Sequence, residues 1–149
     1  LCYNLPMSEQ ILLIDDDALL RRSLAYALER TGYRVATAAT AEEGLTQIAA
    51  ARPDLVLLDV VMPGQNGFQL TRTITRDPRY AGLPVILCTS KTQETDRVWG
   101  LRQGARDYLT KPIDANVFVI AHVSSFFAAC CAFQIAAVAC VDNVMLSAS

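Results

Sequence analysis

The chain has 149 residues, with 13 basic and 15 acidic side chains and a net charge of −2 at pH 7. This length supports one domain with a proper core, and the lack of a basic excess argues against a nucleic-acid surface, which must neutralise phosphates. No basic region precedes an apolar stretch at the N-terminus, and the five cysteines form no CxxC array, so we expect a cytoplasmic protein with reduced thiols.

Alternating strand and helix patterns begin after residues 1–8, which show no periodicity and are interpreted as an N-terminal extension. The apolar run at 11–14 predicts a buried strand. Asp17 can cap the helix that follows, and Gly32 ends it. The positions of this helix that are predicted to face inward are Leu19, Leu20, Leu24, Ala27 and Leu28.

The second and third strands are predicted at 33–38 and Leu55–Leu58, with a helix between them that is capped by Thr40 and runs to about residue 51. The third strand consists of four apolar residues, which predicts burial on both faces of a parallel sheet. A helix over 68–76 follows, and Asp77-Pro78 closes it.

The fourth strand is predicted at 83–89, the fourth helix at Glu94–Arg102 and the fifth strand at Asp107–Thr110. Trp99 is expected to pack the fourth helix against the rest of the domain. Strands and helices that alternate across short loops predict an α/β fold, a doubly wound five-stranded parallel sheet with helices on both faces.

Polar side chains end four of the strand runs, which is where open α/β sheets bind their ligands. If these strands are parallel neighbours, one edge of the sheet gathers three or more carboxylates, a hydroxyl and an ammonium group. Such a set suits a divalent metal and a phosphoryl group. The residues are Asp15-Asp16-Asp17, Asp59, Thr89-Ser90 and Lys111-Pro112.

This order of residues resembles the receiver domain of two-component response regulators (CheY-like), from about residue 9 to residue 114. The matching features are the acidic pair after the first strand, the Asp after the third, the Thr after the fourth and the Lys-Pro after the fifth. The stretch 89–108 resembles a narrower branch, the stand-alone PilH-like regulators of type IV pilus twitching motility. The family implies the flavodoxin-like strand order 2-1-3-4-5.

The resemblance implies a phosphoacceptor and a metal site. Asp59 would attack phosphorus and hold the group as an acyl phosphate. Mg²⁺ would be held by Asp15, Asp16 and Asp59 together with the backbone carbonyl of Val61, because this ion prefers a few carboxylates plus phosphate oxygens and water.

The resemblance also implies three supporting residues. Lys111 would neutralise the moving phosphoryl charge, and its bond to Pro112 has a cis counterpart in the family. Thr89 would hydrogen-bond a phosphoryl oxygen, and Tyr108 would be the aromatic switch that turns inward on activation. The structural alternatives are a helix cap for Asp59, β propensity for Thr89, a solvated position for Lys111 and a half-buried strand residue for Tyr108.

Four other residues have weaker assignments. Asp17, third in its acidic run, is expected to be a helix cap rather than a ligand. Lys91 and Gln93 either touch the site or begin the fourth helix. His122 has no partner acid in the sequence, so a phosphodonor role is not expected.

The function that the resemblance implies is a phosphoacceptor of a phosphorelay, not an enzyme acting on an external substrate. A histidine kinase would be the phosphodonor, and the face of the fourth helix, fifth strand and fifth helix would contact a downstream protein. One alternative is a haloacid dehalogenase-type phosphatase, which needs an Asp where Val61 stands. A pseudo-receiver is the other, and the acidic set, Thr89 and Lys111 argue against it.

The expected domain covers 9–125, and residues 126–149 form an atypical apolar tail. Residues 117–141 contain no Asp, Glu, Lys or Arg. Three interpretations are a membrane anchor, a fifth helix followed by an association segment, and a non-native ending such as a shifted reading frame. The loss of every Lys and Arg after Lys111 favours the last. A membrane location is expected only under the first, and in all three the tail takes no part in phosphotransfer.

Overall fold

The structure, a computed structural model, describes residues 9–112, 114, 123, 127 and 128. The chain divides into two units, Leu1–Ile113 and Asp114–Ser149, and every element below belongs to the first. Strands and helices alternate along it in the order β1 (Gln10–Ile14), α1 (Ala18–Arg30), β2 (Arg34–Ala38), α2 (Ala41–Ala50), β3 (Leu55–Leu58), α3 (Gly67–Arg76), a 3₁₀ turn (Pro78–Tyr80), β4 (Val85–Thr89), α4 (Glu94–Arg102) and β5 (Asp107–Thr110).

The strands form one parallel sheet in the order β2-β1-β3-β4-β5. This confirms the doubly wound fold. The four residues of β3 are buried, as their unbroken apolar pattern predicted. The chain leaves β1 toward β2 and returns to β3, so the direction of winding reverses between β1 and β3. A crevice at the carboxyl ends of the strands is expected at that reversal.

Helix capping follows the predicted pattern. The Asp17 carboxylate accepts hydrogen bonds from the amides of Leu19 and Leu20, at 3.0 and 3.2 Å, at the start of α1. The Thr40 hydroxyl accepts from the Glu43 amide at 3.2 Å at the start of α2. These bonds satisfy amides that the first turn of a helix leaves without a partner. Asp17 is therefore occupied as a cap, as predicted.

Two predictions of buried helix residues are wrong. Leu19 is 79% exposed, whereas Leu24, Ala27 and Leu28 are buried as expected. Leu19 lies five residues before Leu24, which places it about 140° away around a helix of 3.6 residues per turn. Trp99 is 52% exposed, and the buried residue of α4 is its neighbour Gly100, which lies about 100° away around the helix.

Several predictions concern residues outside the described set. They are the fifth helix, His122, the domain boundaries near residues 8 and 125, and nearly all of the apolar segment 117–141. Within the part of the chain that the structure describes, no helix is long and apolar enough to cross a membrane.

Candidate functional site

The predicted site residues converge at the carboxyl edge of the sheet. Hydrogen bonds of the ladder continue one residue past the strands and hold the main chain there. The Asp15 amide donates to the Ala38 carbonyl at 3.1 Å, and the Asp59 amide to the Ile14 carbonyl at 2.9 Å. The side chains that carry the proposed chemistry are thus fixed to rigid elements rather than to long loops.

Three carboxylates form a cluster at this edge. Asp15, Asp16 and Asp59 each offer an oxygen, and these oxygens all lie within 4.8 Å of one another. Asp15 and Asp59 are only 2% and 5% exposed, whereas Asp16 is open to solvent. Oxygen ligands of this kind with access for water fit a hard divalent cation such as Mg²⁺.

Lys111 lies between the two buried acids. Its Nζ is 2.9 Å from Asp15 Oδ2 and 3.3 Å from Asp59 Oδ2. Burial by itself would lower the pKa of Lys111, but hydrogen bonding and attraction to Asp15, then to Asp59, raise it. The ammonium group therefore stays charged. The Lys111–Pro112 peptide bond is cis, as the family resemblance implied.

Asp59 carries an unfavourable charge in this setting. Burial raises the pKa of Asp59, attraction to Lys111 opposes the increase, and repulsion from Asp15 adds to it. Three carboxylates thus face a single ammonium group. The remaining negative charge is what a bound cation would balance, which supports the same assignment as the oxygen cluster.

The backbone around the cluster is held by further bonds. The Val61 amide donates to Asp59 Oδ1 at 3.2 Å, and the Asp17 amide to Asp15 Oδ1 at 2.8 Å. The Val61 side chain is apolar and exposed, and because it has no ligand atom, only its backbone carbonyl could contact a metal.

The Arg21 guanidinium donates to the Asp15 carbonyl, a contact that the sequence reasoning missed. The available signal was an Arg in the second turn of a helix that starts at the acidic run. That signal does not distinguish Arg21 from Arg22.

The main chain at Lys91 connects the two predicted switch residues. The Lys91 amide donates to the Thr89 hydroxyl at 3.3 Å, and the Lys91 carbonyl accepts from the Tyr108 hydroxyl at 3.0 Å. Lys91 thus touches both residues through its backbone, while its Nζ lies 3.6 Å from Asp96. Gln93 precedes α4 as its N-cap residue.

Thr89 is fully buried, and Tyr108 is 5% exposed, more buried than a half-covered strand residue. Burial raises the pKa of Tyr108, and repulsion from the negative charge of Asp96 adds to this increase. The phenol therefore remains protonated and can donate its hydrogen bond to Lys91 at neutral pH.

The fold and this site define a class of protein. The chain matches the response regulator receiver domain family over residues 11–122, and it belongs to that family. The predicted receiver domain is confirmed, and the phosphatase alternative is set aside.

Similarity to individual proteins shows which branch of the family this chain resembles. Protein PilH of Pseudomonas aeruginosa is 50% identical over 110 residues, which cover 74% of this chain and 91% of that protein. Transcriptional regulatory protein AfsQ1 of Streptomyces coelicolor is 46% identical over 107 residues, 72% of this chain and 46% of that one. The chain therefore spans about half the length of the second relative. The predicted likeness to the PilH-like branch is confirmed.

A solved structure agrees with this placement. Chemotaxis response regulator CheY4 of Vibrio cholerae has a TM-score of 0.72 and 28% sequence identity to this chain. The similarity covers 76% of this chain and 95% of that one. The shared fold is the parallel sheet described above.

Proposed function

We propose that this protein is a phosphoacceptor of a two-component phosphorelay, with Mg²⁺-dependent phosphorylation on Asp59. The observation that carries the proposal is the position of Lys111 Nζ, which bridges Asp15 and Asp59 at 2.9 and 3.3 Å beside the three-carboxylate cluster. A nucleophile, a cation site and an ammonium group then share one edge of the sheet. Phosphoryl transfer needs little more than such positioning and charge stabilisation.

The metal site would be formed by Asp15, Asp16 and Asp59, completed by the Val61 backbone carbonyl. When bound, Mg²⁺ supplies positive charge that offsets the repulsion between the carboxylates and the phosphoryl oxygens. The excess negative charge of the cluster and the solvent access at Asp16 support this assignment.

The transfer itself would use Asp59 as the nucleophile. A carboxylate oxygen of Asp59 forms a bond to the phosphorus of a phosphohistidine on the kinase, and the phosphorus–nitrogen bond breaks. The imidazole leaves with the bonding pair and takes up a proton from water. Lys111, released from part of its contact with Asp59, would neutralise charge on the transferred group.

Thr89 and Tyr108 would convert the new charge into a change of shape. The Thr89 oxygen already accepts from the Lys91 amide, and its O–H can donate to a phosphoryl oxygen. Because the same segment accepts from Tyr108, movement at Thr89 would reach the tyrosine through Lys91. The result would be a population shift between two conformers.

The output would be contact with a downstream protein across α4, β5 and the predicted fifth helix. On α4 the apolar side chains of Val98, Trp99 and Leu101 are exposed, which suits such a contact. A histidine kinase would be the phosphodonor, and the compartment would be the cytoplasm. The likeness to the PilH-like branch supports a place in type IV pilus twitching or chemotaxis-like signalling.

The test is incubation with acetyl phosphate and Mg²⁺, followed by intact mass measurement. The wild type should gain one phosphoryl group, and Asp59→Asn or added EDTA should prevent the gain. Asp54→Asn is the matched control, because Asp54 precedes β3 at the opposite end of the strand and is exposed. A gain that persists in Asp59→Asn would overturn the assignment, and no gain in the wild type would favour the pseudo-receiver.

A further inference from the structure

Gly100 occupies a position where glycine is normally unfavourable. It lies within α4, and glycine in a helix interior destabilises the helix relative to alanine. It is also the only residue of α4 that is buried. A side chain at this position would therefore enter the core rather than solvent.

A Cβ atom at residue 100 would lie too close to one side chain and unusually close to two others. It would lie 2.8 Å from Leu87 Cδ1, 3.0 Å from Tyr108 Cδ2 and 3.2 Å from Phe68 Cε1. Leu87 belongs to β4 and is completely buried, and Phe68 is nearly so. The amide of Phe68 is held by the Asn66 side chain at 2.9 Å, so the start of α3 is also fixed. These neighbours have little space into which to retreat.

The Tyr108 ring depends on the space that Gly100 leaves. Its edge lies against Gly100 on one side, and its hydroxyl reaches the Lys91 carbonyl at 3.0 Å. A ring displaced by a new methyl group could not keep both the buried position and this hydrogen bond. The absence of a side chain at residue 100 is thus matched to the buried position of the ring.

We infer that Gly100 is a positioning residue for Tyr108: the missing Cβ lets the ring lie buried against Leu87 and Phe68, where its hydroxyl bonds the Lys91 carbonyl. This deepens the proposed function, because the Thr89–Lys91–Tyr108 connection is the route by which phosphorylation would reach α4. The three atoms nearest to a Cβ at residue 100 belong to Leu87, Tyr108 and Phe68 and not to the carboxylate cluster or Lys111, so Gly100 is assigned to the response and not to phosphoryl transfer.

The direction in which Gly100→Ala changes the folding equilibrium constant distinguishes this role from that of an ordinary helix position. In an open helix, Gly→Ala raises the folding equilibrium constant by roughly twofold to fivefold. Here overpacking should lower it by roughly tenfold. In a Tyr108→Ala background the contact with the ring is gone, and Leu87 and Phe68 can move into the vacated space, so the same substitution should lower the folding equilibrium constant by clearly less.

The first experiment is a double-mutant cycle by urea unfolding, with wild type, Gly100→Ala, Tyr108→Ala and the double variant. Val98→Ala is the matched control, because it changes helix propensity at an exposed position of the same helix. If Gly100→Ala does not fold, the comparison of the double variant with Tyr108→Ala decides: a loss of stability of less than about tenfold supports the inference, and loss of the fold in the double variant alone overturns it.

The second experiment follows the ring directly. The protein is labelled with 3-fluorotyrosine, and the Tyr108 ¹⁹F resonance is assigned with Tyr108→Phe. Gly100→Ala should shift that resonance toward the position of a solvent-exposed ring, whereas Val98→Ala should not. The gain of mass with acetyl phosphate and Mg²⁺ should be equal in all of these variants that retain Tyr108.

Two results would overturn the inference. One is a Gly100→Ala variant that is stabilised and leaves the Tyr108 resonance unchanged. The other is an equal loss of stability with and without the Tyr108 ring. If the wild type takes up no phosphoryl group, the proposed function fails, while the unfolding cycle and the ¹⁹F spectra still decide the role of Gly100.

Discussion

The charge on Asp59 is costly to the folded protein and useful to its proposed chemistry. The carboxylate is nearly buried beside a second buried acid, and this raises its pKa above the ordinary value of 3.8. Lys111 offsets only part of that cost. A bound divalent cation would offset the repulsion between these carboxylates. Cation binding should therefore raise the free energy of unfolding of the protein.

Asp59→Asn should therefore stabilise the fold at neutral pH. A raised pKa means that folded Asp59 binds its proton more tightly than the unfolded chain does, so stability falls as pH rises from 3.8 through the raised value. The free energy of unfolding should be higher for Asn at pH 7, and the difference should shrink toward pH 3.8 and below. Urea unfolding across this range measures it.

Mg²⁺ provides the control for that experiment. It should raise the free energy of unfolding of the wild type more than that of Asp59→Asn, because the variant has lost a ligand. Equal stability of the two proteins at neutral pH, or equal stabilisation by Mg²⁺, would contradict the electrostatic account of this carboxylate.

Lys111→Ala should separate metal binding from phosphoryl transfer. The three carboxylates remain, so Mg²⁺ binding should persist, but phosphorylation should slow on the order of 10²–10³-fold, because one preorganised charge is lost. The change in Trp99 fluorescence on phosphorylation should also be smaller. Time courses with acetyl phosphate give the rate.

Arg97→Ala is a suitable comparison, since it removes the same charge from an exposed position that is paired only at 3.8 Å with Glu94. Its phosphorylation rate should match the wild type. If Lys111→Ala is phosphorylated at the wild-type rate, Lys111 has no role in phosphoryl transfer and is an ordinary solvated lysine.

At the scale of elements, the first turns of α1 hold the loop that carries the acidic pair. Asp17 caps the helix, and Arg21, in the next turn, binds the Asp15 carbonyl. The loop is thereby tied to a regular helix at two points. Outer contacts of this kind orient metal ligands and commonly contribute 10–100-fold to metal affinity, as an order of magnitude.

Arg21→Met should weaken Mg²⁺ binding by about tenfold. Loss of a positive charge near a cation site would by itself tighten binding, so weakening identifies the lost hydrogen bond as the cause. Arg22→Met removes the same charge one residue later and should leave the affinity equal or slightly tighter. Isothermal titration of Mg²⁺ compares them, and parallel behaviour of the two variants would show that the contact with Asp15 does not organise the site.

At the scale of the whole molecule, the chain combines a receiver domain with a C-terminal segment of different composition. Residues 117–141 have no Asp, Glu, Lys or Arg, whereas the receiver surface is rich in charge. An uncharged apolar segment of this length favours association when it is accessible. The site residues all precede it, so association and phosphorylation should be separable.

Truncation after Ser124 should leave phosphorylation with Mg²⁺ intact and reduce association. Intact mass reports the phosphoryl group, light scattering after size-exclusion chromatography reports the assembly state, and circular dichroism reports the fold. A truncated protein with an intact dichroism spectrum and no phosphorylation would show that the tail contributes to the site.

The sequence by itself determined the strands and the residues that end them. Apolar runs of four residues within β1, β3 and β4, each followed by a polar residue, are typical of buried strands of a parallel sheet, because a buried helix would need a longer run. Parallel strands share a carboxyl edge, so Asp15, Asp59 and Thr89 were predicted to lie along one edge of the sheet, and to meet if their strands are neighbours. The order of the strands came from the family resemblance, since runs of similar composition do not specify their neighbours.

Only the tertiary structure decided which of two adjacent residues faces the core. One step along a helix turns the side chain by about 100°, and α1 and α4 do not mark their inner faces by composition alone. Leu19, Trp99 and the choice between Arg21 and Arg22 depended on that rotation. The bonds at Lys91 and the space at Gly100 involve the main chain and a missing side chain, which leave no residue pattern, because they exist only once β4, α4 and β5 have packed together.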